Sequence, residues 1–450
     1  MISAKHVRAG TAVMLAAVFV VMLLMPSAVG SESGSETLDS RASADLTYSI
    51  EERQRICEEV WRKIGLWYSY FDDKGIDWES VKPRYLDLAA GARSDREFFS
   101  CITSLLRELH DGHSYVYEYP KPIPGIGSRG TPRMRVVEAD GKPIVAQVAS
   151  GSDAEAKGVA AGLEIVSVDG QPAEERIRSL IPLVTASTLW HARSTAVAAI
   201  LNGDLDKEVR VELRRPDGAV FGLPLAREPF ERRPEAMTAQ VQGCIGLLRL
   251  PSFSASNLGL KSGDALVREF DDALEQLRST KAIIIDMRGN GGGDDAVADR
   301  CAGRFFKSAA AFPSFQMRMV TLGVPWFAPR IGRSVSPRGP WQYTGPVVVL
   351  IDELVVSSAE HFVAGMHDSG RVATIGHTTA GSSGNPVHLE VSGFKFQVSR
   401  WREYRADGSL IEGYGVPADI AVRPTAADLA SGVDRVLAAA IDYLDRLASK

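Results

Sequence analysis

Two short, uninterrupted apolar runs constrain the fold of this 450-residue chain more than any other feature. The first, Ile283–Ile285, leads into the glycine-rich turn Gly289–Gly293. The second, Val347–Ile351, is followed by Ser357-Ser358-Ala359-Glu360, where a helical pattern begins. Runs of this kind are typical of strands that are buried on both faces of a parallel sheet. The residues that follow such strands meet at one edge of the sheet, and we expect functional side chains there.

The same alternation of strands and helices extends over residues 236–450 and predicts a layered α/β core. Strands are predicted at Cys244–Leu250, Ala282–Met287 and Val347–Ile351, and helices at Gly263–Arg278, Ala296–Phe306, Ser358–Met366 and Leu429–Leu447. The glycine-rich turn lacks the Lys-Ser/Thr pair that completes a phosphate loop. We therefore expect no nucleotide site in this core.

Residues 46–118 predict an amino-terminal helical region, because apolar residues recur every three or four positions between Ile50 and Tyr68 and between Phe98 and Leu109. Residues 130–228 instead contain short alternating segments beside Asp-Gly turns, which predicts an inserted β-rich module. The predicted strands are Arg133–Val137, Ile144–Val148, Leu163–Val168 and Val209–Leu213, and two helical stretches, Ala173–Leu183 and Ala192–Leu201, interrupt them.

The first thirty residues have the layout of a secretory signal. Lys5 and Arg8 precede the uncharged run Ala9–Met25, and small residues follow, so cleavage is predicted after Gly30. An uncleaved membrane anchor is the alternative, since the run approaches the roughly 20 residues that span a bilayer. Either interpretation predicts an exported, periplasmic or secreted protein. Residues 31–45 are rich in Ser, Glu, Gly and Ala and predict a flexible linker.

Composition excludes some classes of function. With 45% hydrophobic and 24% charged residues, the chain is ordinary globular material with room for two or three domains. Its formal charge of −5 makes it a poor partner for nucleic acid. The cysteines Cys57, Cys101, Cys244 and Cys301 lack metal-ligand spacing. An oxidising compartment permits one or two disulfides among them, while Cys244 and Cys301 could equally be small buried hydrophobic residues.

Three polar features together supply the parts of a serine hydrolase. A serine at the strand-to-helix junction, Ser357 or Ser358, can act as the nucleophile. His113 follows a long helix in a glycine-flanked turn and is the candidate base, whereas His110 falls on the end of that helix. The backbone amides of Gly291 or Gly292 and of Ser358 are candidate oxyanion donors. A tight turn without chemistry is the alternative interpretation of the glycines.

Four motifs in this order resemble the tail-specific, or C-terminal processing, family of serine peptidases, including its tricorn-type branch. They are Leu109-His110-Asp111-Gly112-His113-Ser114, Gly158–Gly170, Ile285–Gly293 and Ser357-Ser358-Ala359-Glu360, and the similarity covers about residues 46–425. Gly158–Gly170 is similar to the most recognisable stretch of a PDZ domain. The resemblance implies a crotonase-like layered α/β catalytic core with an amino-terminal helical region and an inserted PDZ-like domain.

The resemblance also implies roles for individual residues. The family's nucleophile lies three residues before the glutamate matched by Glu360, which selects Ser357 and leaves Ser358 as an oxyanion amide. One branch of the family uses a lysine, but the corresponding stretch Thr379–Gly384 has none, and Lys395 lies in a separate segment. The tricorn-type arrangement is similar to Ser-His-Glu, with Glu412 in the position of the glutamate. A solvated turn carboxylate is the alternative for Glu412.

We therefore expect an exported serine endopeptidase that hydrolyses unfolded or terminal polypeptide segments through an acyl-enzyme, without metal or organic cofactor. The PDZ-like module would bind chain termini by strand addition. Its carboxylate loop has only one weak candidate, Gly125-Ile126-Gly127, so gating by this module is not predicted. Two other functions remain: a non-catalytic peptide-binding protein on the same scaffold, and a crotonase-like enzyme of acyl thioesters, which export disfavours.

Overall fold

The structure is a computed structural model that describes residues 46–122, 129–230 and 235–449. The predicted signal peptide (1–30), the linker (31–45) and the candidate carboxylate loop (125–127) lie outside the described residues. Among the helices in these three ranges, none has the length and apolar character needed to cross a membrane.

The amino-terminal region contains three helices and a strand: α1 (Ile50–Trp67), α2 (Trp78–Gly91), α3 (Asp95–Arg107) and β1 (Tyr115–Glu118). A capping box starts α1, because the Ser49 hydroxyl accepts the Glu52 N–H while the Glu52 carboxylate accepts the Ser49 N–H. The predicted helices α1 and α3 are confirmed. The helix α2 was not predicted, since its apolar periodicity is weak and Pro83 lies inside it.

The inserted module has its own antiparallel sheet, in the order β3-β4-β5-β8-β9, and its own buried core. All four predicted strands are present, as β3, β4, β5 and β8. The elements are β2 (Arg129–Thr131), β3 (Met134–Ala139), β4 (Lys142–Val148), α4 (Asp153–Ala156), β5 (Glu164–Val168), β6 (Gln171–Pro172), α5 (Ala173–Leu180), α6 (Leu189–Ala198), β7 (Gly203–Asp204), β8 (Val209–Arg214), β9 (Val220–Leu225) and β10 (Glu228–Pro229).

The carboxyl-terminal part contains twelve strands and five helices within the described residues. They are β11 (Thr238–Gln242), β12 (Ile245–Arg249), α7 (Gly263–Gln276), β13 (Ala282–Asp286), α8 (Asp295–Ala302), β14 (Ala310–Thr321), β15 (Val324–Phe327), β16 (Ile331–Val335), β17 (Val347–Ile351), α9 (Ser358–Asp368), β18 (Ala373–Gly376), β19 (Pro386–Val391), β20 (Phe394–Ser399), β21 (Trp401–Tyr404), β22 (Ile420–Ala421), α10 (Ala426–Ser431) and α11 (Arg435–Ala448).

The central sheet of this part has the order β11-β12-β13-β17-β18-β22, with every pairing parallel except that of β11 with β12. Alternate side chains of β17 point to opposite layers. Val347, Val349 and Ile351 pack in the cluster that contains the buried faces of α7, α8 and α9, whereas Val348 and Leu350 pack against α11. Burial on both faces explains the uninterrupted apolar runs and confirms the layered α/β core.

One smaller sheet joins the amino-terminal region to the carboxyl-terminal part, and another lies within the carboxyl-terminal part. β1 pairs with β20 in the order β1-β20-β19, so the strand that follows the His113 turn belongs to a sheet shared with the core. The long strand β14 pairs with β15, β16 and β21.

The prediction of a single terminal helix at Leu429–Leu447 is wrong, because two helices, α10 and α11, occupy this part of the chain. Gly432, with φ of 68°, ends α10, and the Asp434 carboxylate caps α11.

The four cysteines occupy different surroundings. Cys57 on α1 and Cys101 on α3 are both buried, and their thiols donate to the same carbonyl, that of Tyr85, at 3.5 and 3.6 Å. Cys301 is buried, as the hydrophobic interpretation requires, but Cys244 is exposed, so that interpretation is wrong for Cys244.

Candidate active site

The turn between β17 and α9 holds Ser357 in a strained backbone conformation. Its φ of 60° and ψ of −128° lie outside the regions that L-residues ordinarily adopt. Ser357 is half-buried, whereas Ser358 is only 3% exposed and its hydroxyl hydrogen-bonds Asp295. Strain of this kind is typical of turns that present a nucleophile at the end of a strand. The geometry therefore favours Ser357 over Ser358 as the reactive hydroxyl.

The glycine-rich turn after β13 packs directly against this serine. The carbonyl of Asn290 accepts the N–H of Val356 at 3.0 Å, which joins the two turns. Gly292 has a φ of 84°, and a Cβ there would lie 2.6 Å from the Val356 carbonyl oxygen and 2.9 Å from the Ser357 Cβ. Only glycine fits this close approach.

Hydrogen bonding separates the candidate oxyanion donors. The Gly292 N–H donates to Oδ1 of Asn290 at 2.9 Å and is therefore engaged within the turn. Among the described residues, the backbone N–H groups of Gly291 and Ser358 have no acceptor. Free amides beside a candidate nucleophile are the groups that can receive a developing oxyanion.

The buried carboxylate of Glu360 ties the loop 379–384 to the nucleophile turn. One oxygen accepts the Thr379 hydroxyl at 2.5 Å and the Gly381 N–H at 2.7 Å. The other accepts the Ser382 N–H at 2.8 Å and the Ser357 N–H at 3.3 Å. Burial raises the pKa of Glu360 to about 8, although these donors oppose the shift. The glutamate of the Ser-Ser-Ala-Glu motif thus fixes the loop that faces Ser357.

His113 lies across from that loop. The backbone N–H of His113 donates to Oδ1 of Asp111 at 2.7 Å, and the ring Nδ1 of His113 is 3.1 Å from the hydroxyl oxygen of Ser382. The carbonyl of the same Ser382 accepts the N–H of Ser357 at 2.9 Å. Burial lowers the pKa of His113, although Asp111 and other carboxylates oppose the shift. A neutral imidazole is the form that can take a proton.

Glu412 is buried, but its hydrogen bonds do not run to the imidazole in the described structure. Its carboxylate accepts the Lys74 ammonium at 2.6 Å and the Ser383 N–H at 2.8 Å. The Ser187 hydroxyl also bonds it, and Ser187 accepts the N–H of Gly112 at 2.9 Å. Burial raises the pKa of Glu412 to about 7, and Lys74 opposes this shift. Glu412 therefore reaches the histidine turn through Ser187.

A buried charge network lies behind the site. The ring nitrogens of His361 are 2.7 Å from Glu403 and 2.8 Å from Asp299. Arg333 binds Asp299 and Asp295, so the cluster contains two cationic and three anionic side chains. Burial alone would lower the pKa of His361, but the surrounding carboxylates raise it to about 10.

Asp295, His361 and Glu403 have ligand atoms within 4.8 Å of one another, the spacing of a metal site. Both ring nitrogens of His361 already engage carboxylates, and Arg333 supplies a further cation. The hydroxyl of Ser383 also donates to Glu403 at 2.6 Å. This cluster is a salt-bridge network whose members satisfy one another, and it extends to the loop 379–384.

The inserted module reaches the same loop through two side chains near the start of α6. The Thr188 hydroxyl donates to the carbonyl of Ala380 at 2.8 Å, and the indole N–H of Trp190 donates to the carbonyl of Thr379 at 2.8 Å. The loop that contacts His113 is therefore supported from both the core and the inserted module.

The structure brings most of the predicted site residues together. Ser357, Ser358, Gly291 and Gly292 share one turn-to-turn contact, and His113 joins them through Ser382. Sequence reasoning missed Ser382, Lys74 and Ser187. The stretch Thr379–Gly384 was recognised only for its missing lysine, although it carries a serine that contacts the predicted base.

A strained serine, free backbone amides beside it and a half-buried histidine whose pKa is lowered by desolvation, on a layered α/β sheet, are features of a serine peptidase. Comparisons with known proteins agree. Residues 244–422 match peptidase family S41, and residues 50–107 match the tricorn protease C1 domain. The chain therefore carries a domain of peptidase family S41 and is similar to the C-terminal processing peptidases, and it is a serine peptidase.

Individual relatives are distant. The carboxy-terminal processing protease CtpA of Bacillus subtilis is 22% identical over 369 residues, which is 78% of this chain and 69% of CtpA. The putative tricorn protease homolog 2 of Streptomyces coelicolor is 23% identical over 93% of this chain, which spans 35% of that protein. Mature CPAF complexed with lactacystin shares the fold, with a TM-score of 0.73 and 15% identity over 88% of this chain and 97% of that chain.

Proposed function

We propose that this chain is an exported serine endopeptidase that hydrolyses unfolded or terminal segments of polypeptides, with Ser357 as nucleophile and His113 as general base. The position of Ser382 carries the proposal, because it contacts His113 through its hydroxyl and Ser357 through its carbonyl. One short loop thereby couples the two residues that must exchange a proton.

In the proposed mechanism the Ser357 hydroxyl oxygen attacks the peptide carbonyl carbon while Nε2 of His113 takes its proton. Ser382 engages Nδ1 of His113, which leaves Nε2 as the ring nitrogen that is assigned to proton transfer in this mechanism. The N–H groups of Gly291 and Ser358 bind the oxyanion, a contribution of about 3–4 kcal/mol for each donor. His113 then returns the proton to the leaving amine, and water hydrolyses the acyl-enzyme with the same base.

Glu412 influences this site indirectly, through residues that contact the histidine turn. Its carboxylate bonds the Ser187 hydroxyl, which accepts the N–H of Gly112 beside the base. It also holds Lys74, whose ammonium lies 3.8 Å from Asp111. We assign Glu412 the role of fixing the histidine turn and balancing the charge of Lys74.

Export forms part of the proposal and rests on the sequence of residues 1–30. Cell fractionation followed by amino-terminal mass analysis tests it. A protein outside the cytoplasm that starts near residue 31 supports a cleaved signal, and a full-length membrane-bound protein supports the anchor. A cytoplasmic protein would reject export and return attention to acyl thioesters.

A fluorophosphonate probe tests the activity directly. The purified protein is compared with Ser357→Ala, Ser358→Ala and His113→Ala by intact mass. Labelling that is lost in Ser357→Ala and His113→Ala but kept in Ser358→Ala supports the proposal. An unlabelled wild type would reject it and favour a peptide-binding protein on the same scaffold.

A further inference from the structure

The sheet built on β14 has one apolar face. Side chains alternate between the two faces of a strand, and residues directly opposite each other on antiparallel strands share a face. Met317 pairs with Trp401 of β21 and Met319 pairs with Trp326 of β15, so these four side chains lie on the same side of the sheet. The β14 face consists of Phe315, Met317, Met319, Val324, Trp326 and Trp401.

The outer part of the β14 face is open to solvent. Val324 is 63% exposed, Trp326 is 46% exposed and Met319 is 36% exposed. The indole N–H of Trp326 donates to the Thr321 hydroxyl at 3.0 Å, which holds the ring against the neighbouring strand. Single exposed apolar side chains are ordinary, whereas a contiguous exposed group of them marks a binding surface.

The hairpin that joins β14 to β15 adds a further apolar residue at its tip. Leu322 and Gly323 form a two-residue turn with φ of 51° and 79°. Asn, Asp or Gly ordinarily occupies the first of these positions, because the left-handed conformation is unfavourable for other residues. Leu322 is also 99% exposed, so its side chain does not pack within the described structure. Contact with a binding partner explains a leucine here better than the fold does.

The β14 face points toward α9, the helix that follows the candidate nucleophile. Glu403 lies opposite Phe315 in the sheet, and its carboxylate bonds His361 of α9. Earlier on β14, Phe312 packs against Gly365 near the end of α9, where an added Cβ would lie 2.3 Å from the Phe312 ring. The strand therefore starts beside the second half of α9 and continues along the helix.

The first residue of the face lies close to the start of α9. The guanidinium of Arg333 is 5.9 Å from the ring centroid of Phe315 and bonds Asp295 at 2.8 Å. Asp295 in turn hydrogen-bonds the hydroxyl of Ser358, which directly follows the candidate nucleophile. The later residues of β14 extend away from this point, so the exposed part of the face continues from the active-site turn.

Trp401 connects the β14 face to the loop 379–384. Its backbone N–H donates to the carbonyl of Gly384 at 3.2 Å. The same loop binds the Ser357 N–H through the Ser382 carbonyl and contacts His113 through the Ser382 hydroxyl. A polypeptide that is held at Ser357 and runs toward β14 would therefore lie on this face.

The arginines of the sheet favour a polypeptide over an anionic membrane as the partner. Arg318 donates to backbone carbonyls at the end of α1, Arg402 pairs with Asp73 at 2.8 Å, and Arg333 is bound by two aspartates. A membrane surface attracts proteins through free cations beside apolar groups. An extended polypeptide instead needs apolar side chains at alternate positions, which match the spacing of a sheet face.

We propose that the β14 face binds apolar side chains of the polypeptide substrate beside the scissile bond, and so gives the enzyme a preference for apolar over polar segments. The proposal rests on the peptidase function proposed above. The contact is made by internal side chains of an extended segment and needs no free chain terminus.

Binding is measured with the uncleaving Ser357→Ala protein and two short peptides, each labelled with dansyl at its amino end and amidated at its carboxyl end. One peptide alternates Leu with Ser, and the other alternates Asn with Ser. We expect the leucine peptide to bind at least about tenfold more tightly, because its side chains bury apolar area on the face. Equal affinity for the two peptides, or no binding of either, would overturn the proposal.

Variants of the exposed residues locate the contact. In the same Ser357→Ala protein, Val324→Ser and Trp326→Ser should each reduce the preference at least about threefold, whereas Trp326→Leu should keep most of it because the side chain stays apolar. Val241→Ser is the matched control, since Val241 is a strand valine that is 56% exposed but lies on β11 of the central sheet. A preference that survives both serine variants on the β14 face would place the contact elsewhere.

Two further measurements identify another occupant of the face. Light scattering that shows a wild-type dimer and a Trp326→Ser monomer would assign the face to a second copy of this chain. Binding to phosphatidylglycerol vesicles that is lost in Trp326→Ser would assign it to a membrane, and either result would overturn the proposal. Fluorophosphonate labelling of the wild type without a leucine preference rejects this site and keeps the peptidase, whereas a preference without labelling does the reverse.

Discussion

The hydroxyl oxygen of Ser382 lies 3.1 Å from Nδ1 of His113, although 269 positions separate the two residues in the chain. Ser382 is fully buried, and its N–H is held by Glu360. The candidate base is therefore oriented by the loop that follows β18, and that loop is itself fixed to the candidate nucleophile turn. This coupling explains how a half-buried histidine on the amino-terminal region can serve a serine on the core.

Removing the Ser382 hydroxyl should slow the reaction of Ser357. We expect Ser382→Ala to reduce the second-order rate of fluorophosphonate labelling by about 10–100-fold, because the imidazole loses the partner that orients it. Each factor of ten corresponds to about 1.4 kcal/mol of activation free energy. The apparent pKa of labelling should also fall, since the imidazolium loses an acceptor.

Ser383→Ala is the matched control, because the Ser383 hydroxyl bonds Glu403. It should lower stability without moving the apparent pKa of labelling. An unchanged rate in Ser382→Ala would show that the contact does not position the base.

The pH dependence of wild-type labelling should reflect a depressed histidine pKa. Burial disfavours the charged imidazolium, so His113 should remain neutral, and active, below the ordinary value of about 6.5. The rate should stay constant near neutral pH and fall only as the pH drops through this lowered pKa. Labelling for a fixed time with an uncharged probe, at a series of pH values from 4 to 8, measures this pKa. A midpoint above pH 6.5 would contradict the assignment of His113 as the base.

Adding a methyl group at Gly292 should disable the site, because its Cβ would meet the Val356 carbonyl and Ser357. We expect Gly292→Ala to reduce labelling by more than about 100-fold through displacement of the nucleophile turn. Gly289→Ala is the control, since Gly289 also has a positive φ but has open space around it. That variant should lose about 1 kcal/mol of stability and keep most of its labelling. Equal losses in both variants would point to backbone strain alone.

The core could be predicted from the sequence because β13 and β17 are buried on both faces. Each strand is therefore an uninterrupted apolar run, which can be recognised without knowing which strands it pairs with. The long strand β14 was not predicted, since its side chains are mostly half-exposed and its three partner strands lie elsewhere in the chain. Ser357 and Gly291 lie in the turns that follow these two predicted strands, so their position at the edge of the sheet could also be predicted. The contact of Ser382 with His113 depends on tertiary packing between distant segments, for which local periodicity carries no signal.

Oxidation should join Cys57 to Cys101, since both buried thiols hydrogen-bond the same Tyr85 carbonyl. A disulfide there would tie α1 to α3 and restrict the unfolded chain, typically by 2–4 kcal/mol. Protein purified from an oxidising compartment should show this pair by peptide mass mapping, and reduction should lower its thermal midpoint. Cys57→Ser serves as the control, because its midpoint should not respond to reductant. Free thiols at both positions in exported protein would contradict the prediction.

Because of the network around His361, the stability of the protein should decrease at alkaline pH. The folded pKa of about 10 exceeds the unfolded value of about 6.5, so the protonated imidazole stabilises the fold fully below pH 6.5. This contribution, on the order of a few kcal/mol, should be lost progressively as the pH rises toward 10. Urea unfolding of the wild type and His361→Gln from pH 6 to 10 measures it. The variant should be less stable at pH 6, because Asp299 and Glu403 lose their shared cation, and its stability should vary less with pH.

The control for His361→Gln is the same substitution at a histidine that lies outside this carboxylate network. His388 on β19 is suitable, because burial lowers its pKa, so its effect on stability has the opposite sign. His388→Gln should therefore leave the alkaline decline of the wild type in place. If His361→Gln also keeps that decline, the imidazole is neutral in the folded protein, and the three carboxylates around it must share the charge of Arg333 alone. The loop 379–384 would then be held through Ser383 by a network with excess negative charge, which should make labelling of Ser357 sensitive to salt.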